Sequence, residues 1–371
     1  MLERIKSNLI LKRIFQNLKN RFKLKIIKYN RKLQKRLDIG KKDYEIYIIL
    51  KDYNTKYNSF ITDIDIDKID LSYKNIGNEG IKIFENLNFG KLNDLNLTNN
   101  GISDISSLKY LNSLNLEKLN LENNAISEIE VLKNENFNKL KYLDLSNNHL
   151  SNLNALKEVK FIHLKFLNLN KTNIGDKLID LEGCNFEDLE NLNLNMNQIS
   201  DVKVLKDVNL TNLIKLNLQF NEIKDVNVLG EISLKFLKIL NLSSNKISNI
   251  EIFEKTNFPY LEYLILLKNL INNIDSLAKA NFKNLNELNL GNNKISNINV
   301  LKKVRFKKLT YLNLAFNKIN DITILKNILF YFPDLRVLLL EGNNINKRKN
   351  SLIIFYLSQN IKCFRITKFG L

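Results

Sequence analysis

In 371 residues there is no tryptophan, and there are only two prolines, two cysteines, two histidines and eleven glycines. Each shortage removes a class of protein. Two cysteines, Cys184 and Cys363, make at most one disulfide, which excludes a disulfide-stapled scaffold and favours a reducing compartment. The two histidines, His149 and His163, have no cysteine or carboxylate at metal-ligand spacing and read as surface residues. Glycine-rich phosphate loops and nucleophile elbows are missing as well, so neither catalysis nor a cofactor or metal is expected. No apolar run approaches the length of a membrane span, and Arg4, Lys6, Lys12 and Arg13 interrupt residues 1–18 where a signal peptide would need an unbroken apolar core. The abundance of Asn, Lys and Ile is what A/T-biased coding produces, so composition alone carries little functional meaning.

What the chain does have is a spelling, L-x-x-L-x-L-x-x-N-x-[IL], that returns at a near-constant interval. Its first leucines are Leu92, Leu116, Leu140, Leu164, Leu189, Leu213, Leu237, Leu261, Leu285, Leu309 and Leu335, separated by 24, 24, 24, 25, 24, 24, 24, 24, 24 and 26 residues. A weaker copy begins at Ile66, and Ile361, Phe364 and Ile366 mark a fragment beyond Leu335, giving about 12 copies plus a terminal strand. Counting the first leucine as slot one, the alternation of slots four and six, as at Leu119 and Leu121, has the period of a strand with one buried face. Slot nine holds Asn100, Asn124, Asn148, Asn197, Asn221, Asn245, Asn269, Asn293, Asn317 and Asn343, where the chain must turn.

On these residues, quoted in full in Leu116-Glu117-Lys118-Leu119-Asn120-Leu121-Glu122-Asn123-Asn124-Ala125-Ile126, the chain resembles the leucine-rich repeat family over residues 66 to about 366. The resemblance implies an α/β fold: a right-handed solenoid with parallel strands on the concave face and short helices or turns on the convex face. It also implies that the slot-nine asparagines stack as a ladder of buried amides. No single coil can bury enough to fold alone, so stability is expected to come from nearest neighbours, with modified units at the ends.

The convex half reads roughly I-S-x-I-x-x-L-x-x-x-x-F. Ser103, Ser127, Ser151, Ser200, Ser248 and Ser296 are placed to cap a short helical turn. Phe89, Phe137, Phe161, Phe186, Phe258, Phe282, Phe306 and Phe332 are placed to plug the convex side, with Leu210 and Leu234 substituting. Lys74 and Thr172 stand in the asparagine slot, each before Asn-Ile-Gly. Those two copies resemble the ribonuclease-inhibitor-like subtype, whose convex segment is more helical, and the ladder is expected to bend or break near Thr172.

Charge divides the chain. Residues 1–42 carry fifteen Lys or Arg against Glu3 and Asp38, a net of +13 out of +18. We divide the chain into residues 1–60, a basic helical segment, and residues 61–371, the repeats. Two amphipathic helices are expected in the first part, one along Ile5, Leu9, Ile14 and Leu18, the other along Phe22, Ile26, Tyr29, Leu33 and Leu37. Three readings stand for them besides a targeting segment. They can form a lid on the first coil, with solvated charges. The run Leu9 to Leu18 resembles the core of an F-box, which implies that Leu11, Ile14, Phe15 and Leu18 meet the adaptor of a cullin ubiquitin ligase, although Leu-Pro is absent before it. The charge can also be a footprint for nucleic acid or an anionic membrane surface.

With no chemistry in view, the outward strand slots are where specificity resides. Slot three reads Tyr142, Phe166, Asn191, Lys215, Ile239, Tyr263, Glu287 and Tyr311, and beside it Ile265 and Leu267 abandon a polar column. Tyr142, Phe166, Lys215, Ile239, Tyr263, Ile265, Leu267 and Tyr311 are therefore the candidate partner-binding residues, with aromatic anchors and a charged rim that suit a protein. Slot-eight Met196, Phe220 and Phe316 are expected to pack locally. The expectation is a cytoplasmic or nuclear scaffold for protein recognition. Alternatives are a ubiquitin-ligase substrate receptor and, by analogy with short-repeat relatives, a phosphatase-regulatory subunit.

Overall fold

The computed structural model of the chain describes residues 5–16, 18, 30–37, 41–159 and 161–366. Thirteen three-residue strands lie side by side in chain order, all parallel. They are β1 Lys68–Asp70, β2 Asp94–Asn96, β3 Lys118–Asn120, β4 Tyr142–Asp144, β5 Phe166–Asn168, β6 Asn191–Asn193, β7 Lys215–Asn217, β8 Ile239–Asn241, β9 Tyr263–Ile265, β10 Glu287–Asn289, β11 Tyr311–Asn313, β12 Val337–Leu339 and β13 Cys363–Arg365. Equal slots pair, as Leu119 with Leu143 and Leu240 with Leu264. The middle residue of each strand through β12 is buried, and so is the slot-six leucine after it, so each coil adds one layer to a continuous core.

Between strands the chain returns mostly through short 3-10 or α-helical turns, and before β13 through a ten-residue α-helix, Ser351–Asn360. The copy after β1 is α-helical at Gly77–Ile81 and Ile83–Asn86, in keeping with its subtype, whereas the copy with Thr172 runs as a 3-10 helix over Gly175–Leu181. The turn caps differ from expectation. The acceptor is not the serine but the Asp or Asn one residue later: Asp104 takes the Ser106 N–H at 2.8 Å, and Asp201, Asp225, Asn249, Asn273, Asn297 and Asp321 do the same two residues ahead. A carboxylate or amide oxygen reaches two residues along the chain and forms an Asx turn there. The phenylalanine column is fully buried as expected, with rings at Phe258, Phe282 and Phe306 stacked at 6.3 and 6.0 Å.

The asparagine ladder is present and its logic is visible in one rung. Asn124 Oδ1 accepts from the N–H groups of Asn100 and Ile102, both at 3.0 Å, while its amide donates to the carbonyls of Leu97, Leu121 and Glu122. One side chain thus satisfies buried backbone groups of two coils. At Thr172 the ladder breaks, as the sequence implied. The Leu150 N–H turns to the Thr172 carbonyl at 3.1 Å, and the Thr172 hydroxyl donates to the Leu169 carbonyl at 2.7 Å.

A helical cap stands at the beginning of the repeats, but it is not made by the expected pair of helices. The helix α1 Asn8–Gln16, opened by the Ser7 hydroxyl, and α2 Arg31–Leu37, opened by Asn30, meet around Leu11, Leu33 and Leu37, with Ile5 and Phe15 alongside. That cluster is separate from the repeat core. The element that closes the core is a third helix, α3 Lys41–Tyr57, through Leu50 and Tyr53, followed by Ile61. Asn54 fastens the following loop by taking the Ile61 N–H at 2.9 Å and giving to its carbonyl at 2.8 Å. The expected apolar face of α1 is also rotated: Leu11 is buried, and Leu9 is 78% exposed. Of the second expected helix, Phe22, Ile26 and Tyr29 lie outside the described residues.

Candidate functional site

A strand with one face in the core leaves slots three and five on the concave surface. Slot five turns out to have a structural role. Asp70, Asn96, Asn120, Asp144, Asn168, Asn193, Asn217, Asn241, Asn289 and Asn313 each accept the backbone N–H two residues on, closing the strand with an Asx turn. Amides also bridge neighbouring strands, as Asn313 to Asn289 at 3.0 Å. The polar column is therefore occupied in holding the sheet.

Two copies lack that acceptor. Leu339 in β12 is buried, so its change is a matter of core packing. Ile265 in β9 is only half-buried and supplies no hydrogen bond to the Leu267 N–H. Pairing in register sets Ile239 beside Tyr263 and Tyr263 beside Glu287, with Lys215 next to Ile239 on one side and Tyr311 next to Glu287 on the other. Lys215, Ile239, Tyr263, Ile265, Leu267 and Tyr311 thus form one neighbourhood across β7 to β11. All six are half-buried rather than freely exposed, since neighbouring strands cover their flanks. Burial holds the Glu287 carboxyl above the usual carboxylate range, and burial followed by Glu287 raises the Tyr311 phenol.

Tyr142 and Phe166 belong elsewhere. Their rings stack on each other at 4.4 Å with 3° between planes, and the Lys118 ammonium lies 5.0 Å from the Tyr142 ring centre. The phenol donates to buried Asp144, which also takes the Asn168 amide at 2.9 Å. Burial, then Asp144, raises both the Tyr142 phenol and the neighbouring Glu122 carboxyl. With ring faces covered on both sides, this pair ties β3, β4 and β5 together.

Of the other candidates, Leu11 is buried within the α1–α2 cluster, while Ile14, Phe15 and Leu18 are half-buried. His163 has Asp188 3.7 Å from Nδ1, a carboxylate that sequence spacing did not bring near. Among the described residues no three His, Cys, Asp or Glu side chains gather as metal ligands. Burial pushes the Cys184 thiol up to about 12, far from a reactive thiolate. Among the described residues no helix is long and apolar enough to cross a membrane.

Sequence reading missed two apolar groups. Met196, Phe220 and Phe316 are 46%, 47% and 44% exposed, contrary to the expected local packing, although Phe316 also lies against Gly342. On the flank where the strands begin, exposed Phe236 and Tyr260 stack at 6.2 Å beside a groove of about 510 Å³ that Ile214 helps to line. The recurrent spacing of 24 would have found the second pair had the slot before each first leucine been compared.

The fold is that of the leucine-rich repeat proteins. A family model described as Leucine Rich repeat matches residues 209–226, 233–250 and 307–322. Among solved structures, the chain is similar to an internalin, inlF, from Listeria monocytogenes, at 26% identity over 86% of this chain and 89% of that one, with a TM-score of 0.68. It is also similar to a leucine-rich repeat protein from Leptospira interrogans, at 22% identity over 85% and 94% of the two chains and a TM-score of 0.53. The mouse RP105/MD-1 complex gives 20% identity, 77% and 51% coverage and a TM-score of 0.56. No curated protein matches the chain in sequence. What these likenesses share with the chain is the leucine-rich repeat solenoid fold.

Proposed function

We propose that the protein is a recognition scaffold that binds a protein partner on the concave surface of β7 to β11. The observation that carries this reading is Ile265. Ten strands end in a hydrogen-bonded Asp or Asn, and the half-buried exception puts two aliphatic side chains, Ile265 and Leu267, beside Tyr263 on the face open to a partner. A sheet that forgoes a stabilising contact at one surface position has that position available to selection for binding. Aromatic and aliphatic groups between Lys215 and Glu287 match the make-up of protein interfaces, with an apolar centre and a charged rim. Solenoids of this kind take protein ligands in RP105 with MD-1 and in a plant receptor kinase ectodomain with its CASPARIAN STRIP INTEGRITY FACTOR ligand.

The test is a substitution that helps the fold and harms the surface. Ile265→Asn restores the missing acceptor, so the melting temperature is expected to be unchanged or higher. Partners captured by the wild-type chain and identified by mass spectrometry are expected to be lost with Ile265→Asn and with Tyr263→Ser. Equal recovery of those partners by all three proteins overturns the assignment.

A further inference from the structure

Helix α1 is apolar on two faces, and among the described residues only one of them packs against a neighbour. Leu11 and Phe15 turn toward α2, where Arg36 fastens the pair by donating to Asn8 Oδ1 at 3.2 Å. At 100° per residue, Leu9, Ile10 and Arg13 fall within about a third of a turn on another side. Leu9 is 78% and Ile10 54% exposed there, with no packing role in the α1–α2 cluster. A helix held in place by one face and carrying an uncovered aliphatic pair on another has more apolar surface than its fold requires.

The surroundings of that pair are strongly basic. Lys6, Lys12, Arg31, Lys32 and Lys35 are all exposed, and among the described residues none of them takes part in an ion pair. They belong to a segment of 42 residues with a net charge of +13. Nucleic acid would be drawn by the charge alone and would gain nothing from aliphatic side chains on the same face. An anionic bilayer uses both, since lysines and arginines meet the headgroups while short aliphatic side chains enter the acyl boundary.

We propose that α1, carried by the α1–α2 pair, is a docking element for an anionic lipid surface, with Leu9 and Ile10 entering the interface and the surrounding Lys and Arg meeting the headgroups. The surface is distinct from the concave face, so a partner bound to β7 to β11 can be held beside a membrane. The association is peripheral.

Flotation of the full chain with vesicles tests this. Vesicles of phosphatidylcholine with phosphatidylserine are expected to carry the protein at low salt, phosphatidylcholine alone is not, and binding should fall steeply as salt rises. Leu9→Ser with Ile10→Ser keeps every charge and, because both positions are exposed, the melting temperature; binding should drop tenfold or more. Lys6→Ala and Lys12→Ala should each cost about fivefold. No binding to the anionic vesicles overturns the proposal, as does binding that ignores the Leu9 and Ile10 changes. Tighter association with a duplex oligonucleotide than with the vesicles, equally indifferent to those two residues, would assign the charge to nucleic acid instead.

Discussion

Asn100 and Asn124 lie 24 residues apart in the chain and are joined directly, the backbone N–H of the first donating to Oδ1 of the second at 3.0 Å. The same Asn124 amide gives three hydrogen bonds to carbonyls, so its loss strands groups in two coils at once. Asn124→Ala is expected to destabilise the protein by about 2 to 4 kcal/mol, since each buried backbone group left without a partner costs roughly 1 to 3 kcal/mol and some relax. Thr172→Val, at the broken rung, removes one hydroxyl proton shared between the Leu169 carbonyl and Asn197 Oδ1 and should cost about 1 kcal/mol. Urea unfolding of both variants checks the order; a Thr172→Val loss as large as that of Asn124→Ala would contradict the ladder account.

The stacked phenylalanines give a second contrast between residues that look alike in sequence. Phe282 sits between Phe258 and Phe306 and also meets the edge of Phe253 at 5.6 Å, fully buried. Phe236 stacks on Tyr260 with about half of each ring in solvent. Phe282→Ala should lower stability by about 3 to 5 kcal/mol, and Phe236→Ala by less than about 1 kcal/mol. Thermal unfolding of the two proteins under identical conditions measures the gap, and similar losses would show that the convex column is not the core.

The repeat was legible because burial in a solenoid follows slots: Leu119, Asn124 and Phe137 could be placed once the interval was known. The beginning of the chain has no such frame. In α3 the residues Tyr44, Ile46, Tyr47, Ile48, Ile49, Leu50 and Tyr53 surround the helix rather than forming one stripe, so nothing in spacing marked Leu50 and Tyr53 as the lid. The caps were misplaced by one residue because serine and the Asp or Asn after it recur together, and only geometry tells which oxygen reaches the turn. Alternation put Tyr142, Phe166, Tyr263 and Ile265 on one face alike, and only the structure shows that the first two stack on each other across strands.

Glu287 carries a pH dependence of known sign. Burial raises its carboxyl pKa in the folded chain, partly offset by a hydrogen bond with Asn289, so the fold favours the protonated form. Stability from that preference is full below the unfolded value of about 4.3 and is lost as pH rises through the folded value. Glu287→Gln should therefore differ little from wild type near pH 3.5 and become the more stable of the two as pH approaches 7. Melting temperatures across that range test it; an advantage that shrinks with rising pH would mean the carboxylate is stabilised in the fold.

Slot eight requires a left-handed backbone, and the chain meets it with Asn99, Asn123, Asn147 and Asn292, the side chain that tolerates φ near +55° best after glycine. Phe220 holds the same conformation at φ +51° and Met196 at +56°, both largely exposed. Bulky side chains in this region cost on the order of 1 kcal/mol relative to asparagine, and part of that is returned by the covered half of each side chain. Phe220→Asn should accordingly stabilise the fold by about 0.5 kcal/mol. On the proposal that the concave face grips a partner, that partner is expected to lose affinity on the same change. Denaturant midpoints read the first effect and titration with the captured partner the second; a destabilised Phe220→Asn that binds unchanged would place Phe220 in local packing after all.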